Sequence, residues 1–140
     1  MGEKNISRQT IKIIMKKIIF TDKAPAPIGP YNQAVLVGNT LYTSGQIALD
    51  PLTMELVMET IEAETSQVMN NMKAVLEAAD MDFSNVVKST IFISDMNDFA
   101  SINTVYSSYF EESFAPARET VQVAKLPRNV NVEISMIAIK

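Results

Sequence analysis

The chain has 140 residues, of which 47% are hydrophobic and 20% charged, with a net charge of −4. That length suits one domain able to bury a sizeable core, and that balance suits an ordinary globular protein. It contains neither histidine nor cysteine, so a Ser-His-Asp triad, a thiolate nucleophile, a Cys/His zinc site and a disulfide are all excluded.

Residues 1–20 carry Lys4, Arg8, Lys12, Lys16 and Lys17 against Glu3, a net +4, which leaves −8 on the remaining 120 residues. An acidic body argues against nucleic acid as the main partner, because phosphate binding needs a basic surface. No apolar run approaches the roughly 20 residues of a membrane span, and no signal-peptide pattern is present. The lack of cysteine fits a cytoplasmic location. Met15-Lys16-Lys17-Ile18-Ile19-Phe20 reads as a fresh start leading into a strand. Residues 1–14 are therefore expected to be an extension outside the fold, and 15–140 a single domain.

Thr21 to Pro30 is a loop stiffened by Pro25, Pro27 and Pro30. Gln33–Val37 and Thr40–Ser44 are two β-prone runs around Gly38-Asn39, which predicts a two-residue hairpin. From Thr60 to Ala79 apolar residues recur at three- and four-residue spacing, with Ile61, Val68, Met72, Val75, Leu76 and Ala79 on one face of a helix. Glu62, Glu64, Asn70, Lys73 and Glu77 are assigned to the other side. Val86–Ser94 reads as a strand. Asp95, Asn97 and Asp98 can cap a second helix through about Phe110, with Phe99, Ile102, Val105, Tyr106, Tyr109 and Phe110 inward. Two further strands, Arg118–Ala124 and Val130–Ile139, complete the order β-β-β-α-β-α-β-β. It predicts an α+β fold, a mixed six-stranded sheet with two helices on one face.

In the last strand Val130, Val132, Ile134, Met136 and Ala138 share the helix-facing side, and Asn131, Glu133, Ser135, Ile137 and Ile139 share the other. Treated as a hairpin with it, the preceding strand puts Arg118, Thr120 and Gln122 on the uncovered face together with Glu133. A partly apolar uncovered face predicts association with other copies. In that hairpin Glu133 falls opposite Gln122 or Thr120, and Arg118 lies about 7–13 Å along the strand. A site at a seam between protomers would still bring both to one ligand.

Arg118 is one of three arginines and follows Pro116-Ala117. An ordinary surface ion pair is one reading of it. Its rarity and rigid approach favour the other, a planar clamp for a small carboxylate. Glu133 reads equally as a surface charge or as a base that orients water. Tyr31, Ser44 with Gly45, and Asn103 each have an ordinary reading as loop, turn or solvent-facing residue, and a second one as ligand contacts.

Together, Ile28-Gly29-Pro30-Tyr31, Thr43-Ser44-Gly45-Gln46-Ile47, Asn71 through Ala79, Pro116-Ala117-Arg118 and Val132-Glu133-Ile134 resemble the RidA family. These reactive intermediate deaminases are also called YjgF-like. The resemblance runs from Met15 to Lys140 and implies a chorismate-mutase-like homotrimer, sheets inward, with ligand clefts between protomers. It implies hydrolysis of 2-enamino and 2-imino acids, such as 2-iminobutanoate and 2-iminopropanoate, to 2-oxo acids and ammonia. It also implies a link to pyridoxal-phosphate enzymes such as threonine dehydratase, and no metal or cofactor. By motif, Arg118 matches the family's carboxylate-binding arginine and Glu133 its water-associated glutamate. Tyr31, Ser44, Gly45 and Asn103 match further cleft positions. Thr120 stands where the family often has Cys and joins the expected substrate contacts. Met54 and Asp80 replace usual glycines. The rival expectation is a noncatalytic trimer that binds small carboxylates as a regulator. RNA cleavage, attached to some relatives, fits poorly with the acidic body and missing histidine.

Overall fold

Residues 16–140 are described by the computed structural model, and the extension expected at 1–14 lies outside the described residues. The elements are β1 (Lys16–Ile19), β2 (Ala34–Val37), β3 (Thr40–Thr43), α1 (Ile61–Ala78), β4 (Val86–Ile93), α2 (Phe99–Ser107), β5 (Ala117–Gln122) and β6 (Val132–Ile139). One mixed sheet forms, ordered β1-β2-β3-β6-β4-β5, and both helices lie on one face of it. The expected element order and α+β layout therefore hold. Among the described residues, no helix is long and apolar enough to cross a membrane.

The β2–β3 hairpin turns at Gly38-Asn39, where Gly38 takes φ +60, and pairs Val37 with Thr40. α1 starts at Thr60, whose side chain accepts a hydrogen bond from the Ala63 backbone N–H at 3.0 Å, satisfying one free donor of the first turn. It ends in a Schellman arrangement. Met81 N–H donates to Leu76 O and Asp80 N–H to Glu77 O, which forces Asp80 to φ 58. Met54 occupies a second left-handed position, also at φ 58. The two positions where glycine was expected thus have the backbone conformation that favours glycine.

Val68, Met72, Val75 and Leu76 of α1 pack fully buried against Ile91, Ile134 and Met136 of the sheet. Each such side chain contributes about 1.5–3 kcal/mol through burial. Glu64 departs from expectation. It is fully buried rather than on the polar side of α1. Its carboxylate accepts from the Asn131 backbone N–H (2.7 Å), Asn131 Nδ2 (2.8 Å) and Val132 N–H (3.2 Å), and so anchors the start of β6. α2 ends at Ser107 rather than near Phe110. There the backbone tightens to three-residue hydrogen bonds, while Tyr109 and Phe110 turn onto Phe83 with ring centroids 5.2 and 5.3 Å away.

The larger correction concerns the end of the chain. β5 and β6 do not form a hairpin. β6 lies in the middle, antiparallel to both β3 and β4, and β5 is an edge strand parallel to β4. The β4-α2-β5 crossover carries the chain to that edge, as a parallel connection requires.

Candidate active site in two halves

Pairing across the sheet decides which way each site residue points. Arg118 pairs with Ser89, which in turn pairs with Met136, so all three face the helices. Glu133 pairs with Phe92, which pairs with Val121, on the open face. The expectation that Arg118 and Glu133 share the uncovered face is therefore wrong. It assumed a β5–β6 hairpin register, and parallel pairing to β4 sets the opposite side. The two residues open into separate cavities.

The first cavity, about 790 Å³, is lined by Asn103, Tyr106, Phe110, Glu112, Pro116 and Arg118, among others. Arg118 Nη1 donates to Asn103 Oδ1 at 2.6 Å. Its Cζ lies 5.1 Å from the Tyr106 ring centroid and 5.7 Å from that of Phe99, within cation–π range. Asn103 thus faces the arginine rather than solvent. Tyr106 is buried and donates its hydroxyl to Ser89 Oγ at 2.9 Å, and burial pushes that hydroxyl's pKa up. The guanidinium is fixed by one hydrogen bond and two rings, yet it makes no ion pair among the described residues. Its other donors remain open to a carboxylate.

Thr120 follows on the same face as Arg118, paired with Ile91. Its Oγ1 is buried without a hydrogen-bond partner among the described residues.

The second cavity, about 600 Å³, holds Tyr31, Ser44, Gly45, Arg128 and Glu133 within a largely apolar wall. The proline-rich loop is held there by buried Gln33. Its Nε2 donates to Thr21 O (2.9 Å) and Pro25 O (2.9 Å), and its Oε1 accepts from Thr21 N–H (2.8 Å). Gly29, at φ +113, turns the loop so that Tyr31 N–H donates to Gly29 O. Tyr31 is half exposed at the cavity wall, and its hydroxyl accepts from Ile28 N–H at 3.2 Å. Ser44 donates its hydroxyl to Asn32 O.

Beyond β3 the chain bonds again to β6 through Gln46 and Ile134, which lays Gly45 directly on Glu133. A Cβ at Gly45 would stand 2.5 Å from Glu133 Oε1 and 2.9 Å from its Cγ. Glycine is required by this close approach, since its φ lies outside the left-handed region. Desolvation raises the pKa of the Glu133 carboxyl, and no cation among the described residues offsets that rise. A carboxyl so placed is suited to accept and return protons nearer neutrality.

Sequence reasoning grouped the site as one constellation. Folding instead delivers Arg118 with Asn103, and Tyr31, Ser44 and Gly45 with Glu133. It missed Tyr106 and Phe99 as supports of the arginine. A tyrosine on an inward helical face needs a hydroxyl partner, and its place three residues after Asn103 was the available signal. It also assigned no role to Arg128.

Comparison with known proteins shows the family. The family model described as Endoribonuclease L-PSP matches residues 21–140. A Bos taurus protein named 2-iminobutanoate/2-iminopropanoate deaminase is 50% identical over 127 residues, covering 91% of this chain and 92% of that protein. The crystal structure of RidA from the Antarctic bacterium Psychrobacter sp. matches with a TM-score of 0.84 at 48% identity, covering 89% of this chain and 99% of that one. A structure of E. coli TdcF with bound serine has the same TM-score and coverage at 44% identity. Other relatives of similar identity carry only a RutC family name. The chain belongs to the Endoribonuclease L-PSP family, the RidA or YjgF-like family that its motifs resemble.

Proposed function

We propose that the protein is a deaminase hydrolysing 2-imino acids, and their enamine tautomers, to 2-oxo acids and ammonia, with 2-iminobutanoate and 2-iminopropanoate as substrates. The observation that carries this reading is Arg118, braced by Asn103 and two aromatic rings yet without a carboxylate partner among the described residues. A half-identical deaminase spanning nearly the whole chain supports it.

Arg118 and Glu133 lie on opposite faces of the sheet, so a small acid held by one does not meet the other within a protomer. In this reading, open faces of three copies pack inward, and the seam joins Arg118 of one protomer to Glu133 of its partner. Apolar residues exposed on that face, Ile18 (45%), Tyr42 (50%) and Val121 (44%), support such packing, because isolated open faces of this kind seek cover. Arg118 holds the substrate carboxylate and so sets the angle at which water meets the imine carbon. As the water oxygen bonds to that carbon, Glu133 takes one of its protons. It passes that proton to nitrogen as the C=N bond becomes single, and then carries the remaining hydroxyl proton to the same nitrogen as C=O forms and the C–N bond breaks, leaving the 2-oxo acid and ammonia. Tyr31, Ser44 and the Gly45 N–H hold the water or substrate, and Thr120, beyond Arg118 on the same face of β5, backs the carboxylate side of the site. No metal or cofactor enters these steps. The imines arise from pyridoxal-phosphate dehydratases, which puts the protein beside them in the cytoplasm.

The test couples the protein to threonine dehydratase and traps residual imine with semicarbazide. Faster 2-oxobutanoate release, abolished in both Arg118→Ala and Glu133→Gln, is expected. No acceleration by the folded protein would overturn the reading. Retained activity in Glu133→Gln would make it a carboxylate binder with incidental hydrolysis. Mixed subunits add a second check, because Arg118→Ala with Glu133→Gln should regain activity only across a shared seam.

A further inference from the structure

Of the three arginines in the chain, Arg8 lies outside the described residues, and the other two line different cavities. Arg118 is accounted for above. Arg128 sits in the short turn Pro127–Asn129 that links β5 to β6, on the wall of the Glu133 cavity. Its backbone is left-handed, at φ 55 and ψ 24, and Asn129 follows at φ 57.

Asparagine tolerates that region, whereas arginine takes it at a steric cost that glycine would avoid. The turn is held by Asn129 N–H to Leu126 O at 3.1 Å and Val130 N–H to Pro127 O at 3.3 Å. Neither bond involves the Arg128 side chain. What the residue adds is a guanidinium, and backbone outliers of this kind concentrate at ligand sites.

That guanidinium makes no ion pair among the described residues. Among the described residues it is the one cation lining a cavity whose other charge is Glu133, and Ile28, Tyr31, Ile47 and Leu49 form an apolar wall beside them. At about 600 Å³ the cavity falls within the usual range for ligand clefts, with room beyond a four-carbon acid. A ligand carrying two negative charges is also repelled by the acidic body, so a cation placed for its far end has a clear electrostatic use.

We propose that Arg128 is a second anion-binding residue, gripping the distal carboxylate of a dicarboxylic 2-imino or 2-oxo acid whose reacting carbon lies at Glu133. The reaction part of this proposal rests on the deaminase reading. The binding part does not.

The test compares 2-iminobutanoate with 2-iminoglutarate, each generated by an amino-acid oxidase and followed with semicarbazide, on the full chain. Arg128→Gln is expected to lower kcat/KM for 2-iminoglutarate about 10- to 100-fold, the worth of a charged hydrogen bond, and to leave 2-iminobutanoate within about 2-fold, with partial recovery in Arg128→Lys. Arg128→Gly suits the backbone better and should melt no lower than wild type while losing the same discrimination, which separates binding from fold damage. Equal loss on both substrates, or none, would overturn the proposal. If the wild type hydrolyses neither imine, the deaminase reading fails and calorimetric titration decides on Arg128 alone. Tighter binding of 2-oxoglutarate than of 2-oxobutanoate, erased by Arg128→Gln, supports the subsite. Equal affinities would overturn it.

Discussion

Gly45→Ala isolates the contact that holds Glu133 in place. The added Cβ would lie 2.5 Å from Glu133 Oε1, 2.8 Å from Cδ and 2.9 Å from Cγ, whereas carbon contacts settle near 3.5–4.0 Å. The carboxylate must therefore shift by about 1 Å. Because Cγ is involved as well as the tip, a simple turn of the carboxylate does not relieve the clash. Glu133 borders an open cavity, so it has somewhere to go, and the cost in stability should sit near the low end of overpacking, about 1 kcal/mol. Activity should suffer more. A displacement of ~1 Å in a reacting group is worth about 10²-fold in rate, or roughly 2.7 kcal/mol. The imine assay should show kcat down by that factor with KM little changed, since Arg118 still holds the substrate. A double-mutant cycle supplies the control, because Gly45→Ala in a Glu133→Ala background should cost almost nothing further. Wild-type kcat in Gly45→Ala would refute the steric reasoning. So would an equal loss in the Glu133→Ala background.

Three further outcomes follow from the geometry. Met54→Gly and Asp80→Gly relieve left-handed backbones at φ 58. Each should gain up to about 1 kcal/mol and roughly 2–4 °C in melting temperature, with Met54 gaining more because aspartate tolerates the region better; a loss at Met54 would contradict this. Glu64→Ala removes the shared acceptor of Asn131 and Val132 and should cost about 3–5 kcal/mol in denaturant unfolding, so a loss under about 1 kcal/mol would show that the anchor is dispensable. Burial raises the Glu133 carboxyl above its ordinary 4.5. The stability it contributes is present below that value and lost as pH rises through the folded-state value. Glu133→Gln should therefore melt higher than wild type at about pH 7 and show little difference at about pH 3. A pH-independent difference between the two proteins would count against a desolvated carboxylate.

Much of this molecule was legible from local patterns. The Gly38-Asn39 hairpin, the α1 stripe from Val68 to Leu76 and the alternation of β6 each depend on residues a few positions apart, where backbone sterics and helical or strand periods act directly. The rarity and setting of Arg118 likewise marked it before any fold was known. Period-two alternation separates the two faces of one strand but carries no information about which neighbour that strand will pair with. Lys125 to Asn129 looked like a hairpin link. Only the tertiary structure inserted β6 between β3 and β4 and moved β5 to the edge beside β4. That choice put Arg118 on the helix face and Glu133 on the open one. The burial of Glu64, the stacking of Arg118 on Tyr106 and the approach of Gly45 to Glu133 were decided the same way, by contacts between segments far apart in the chain.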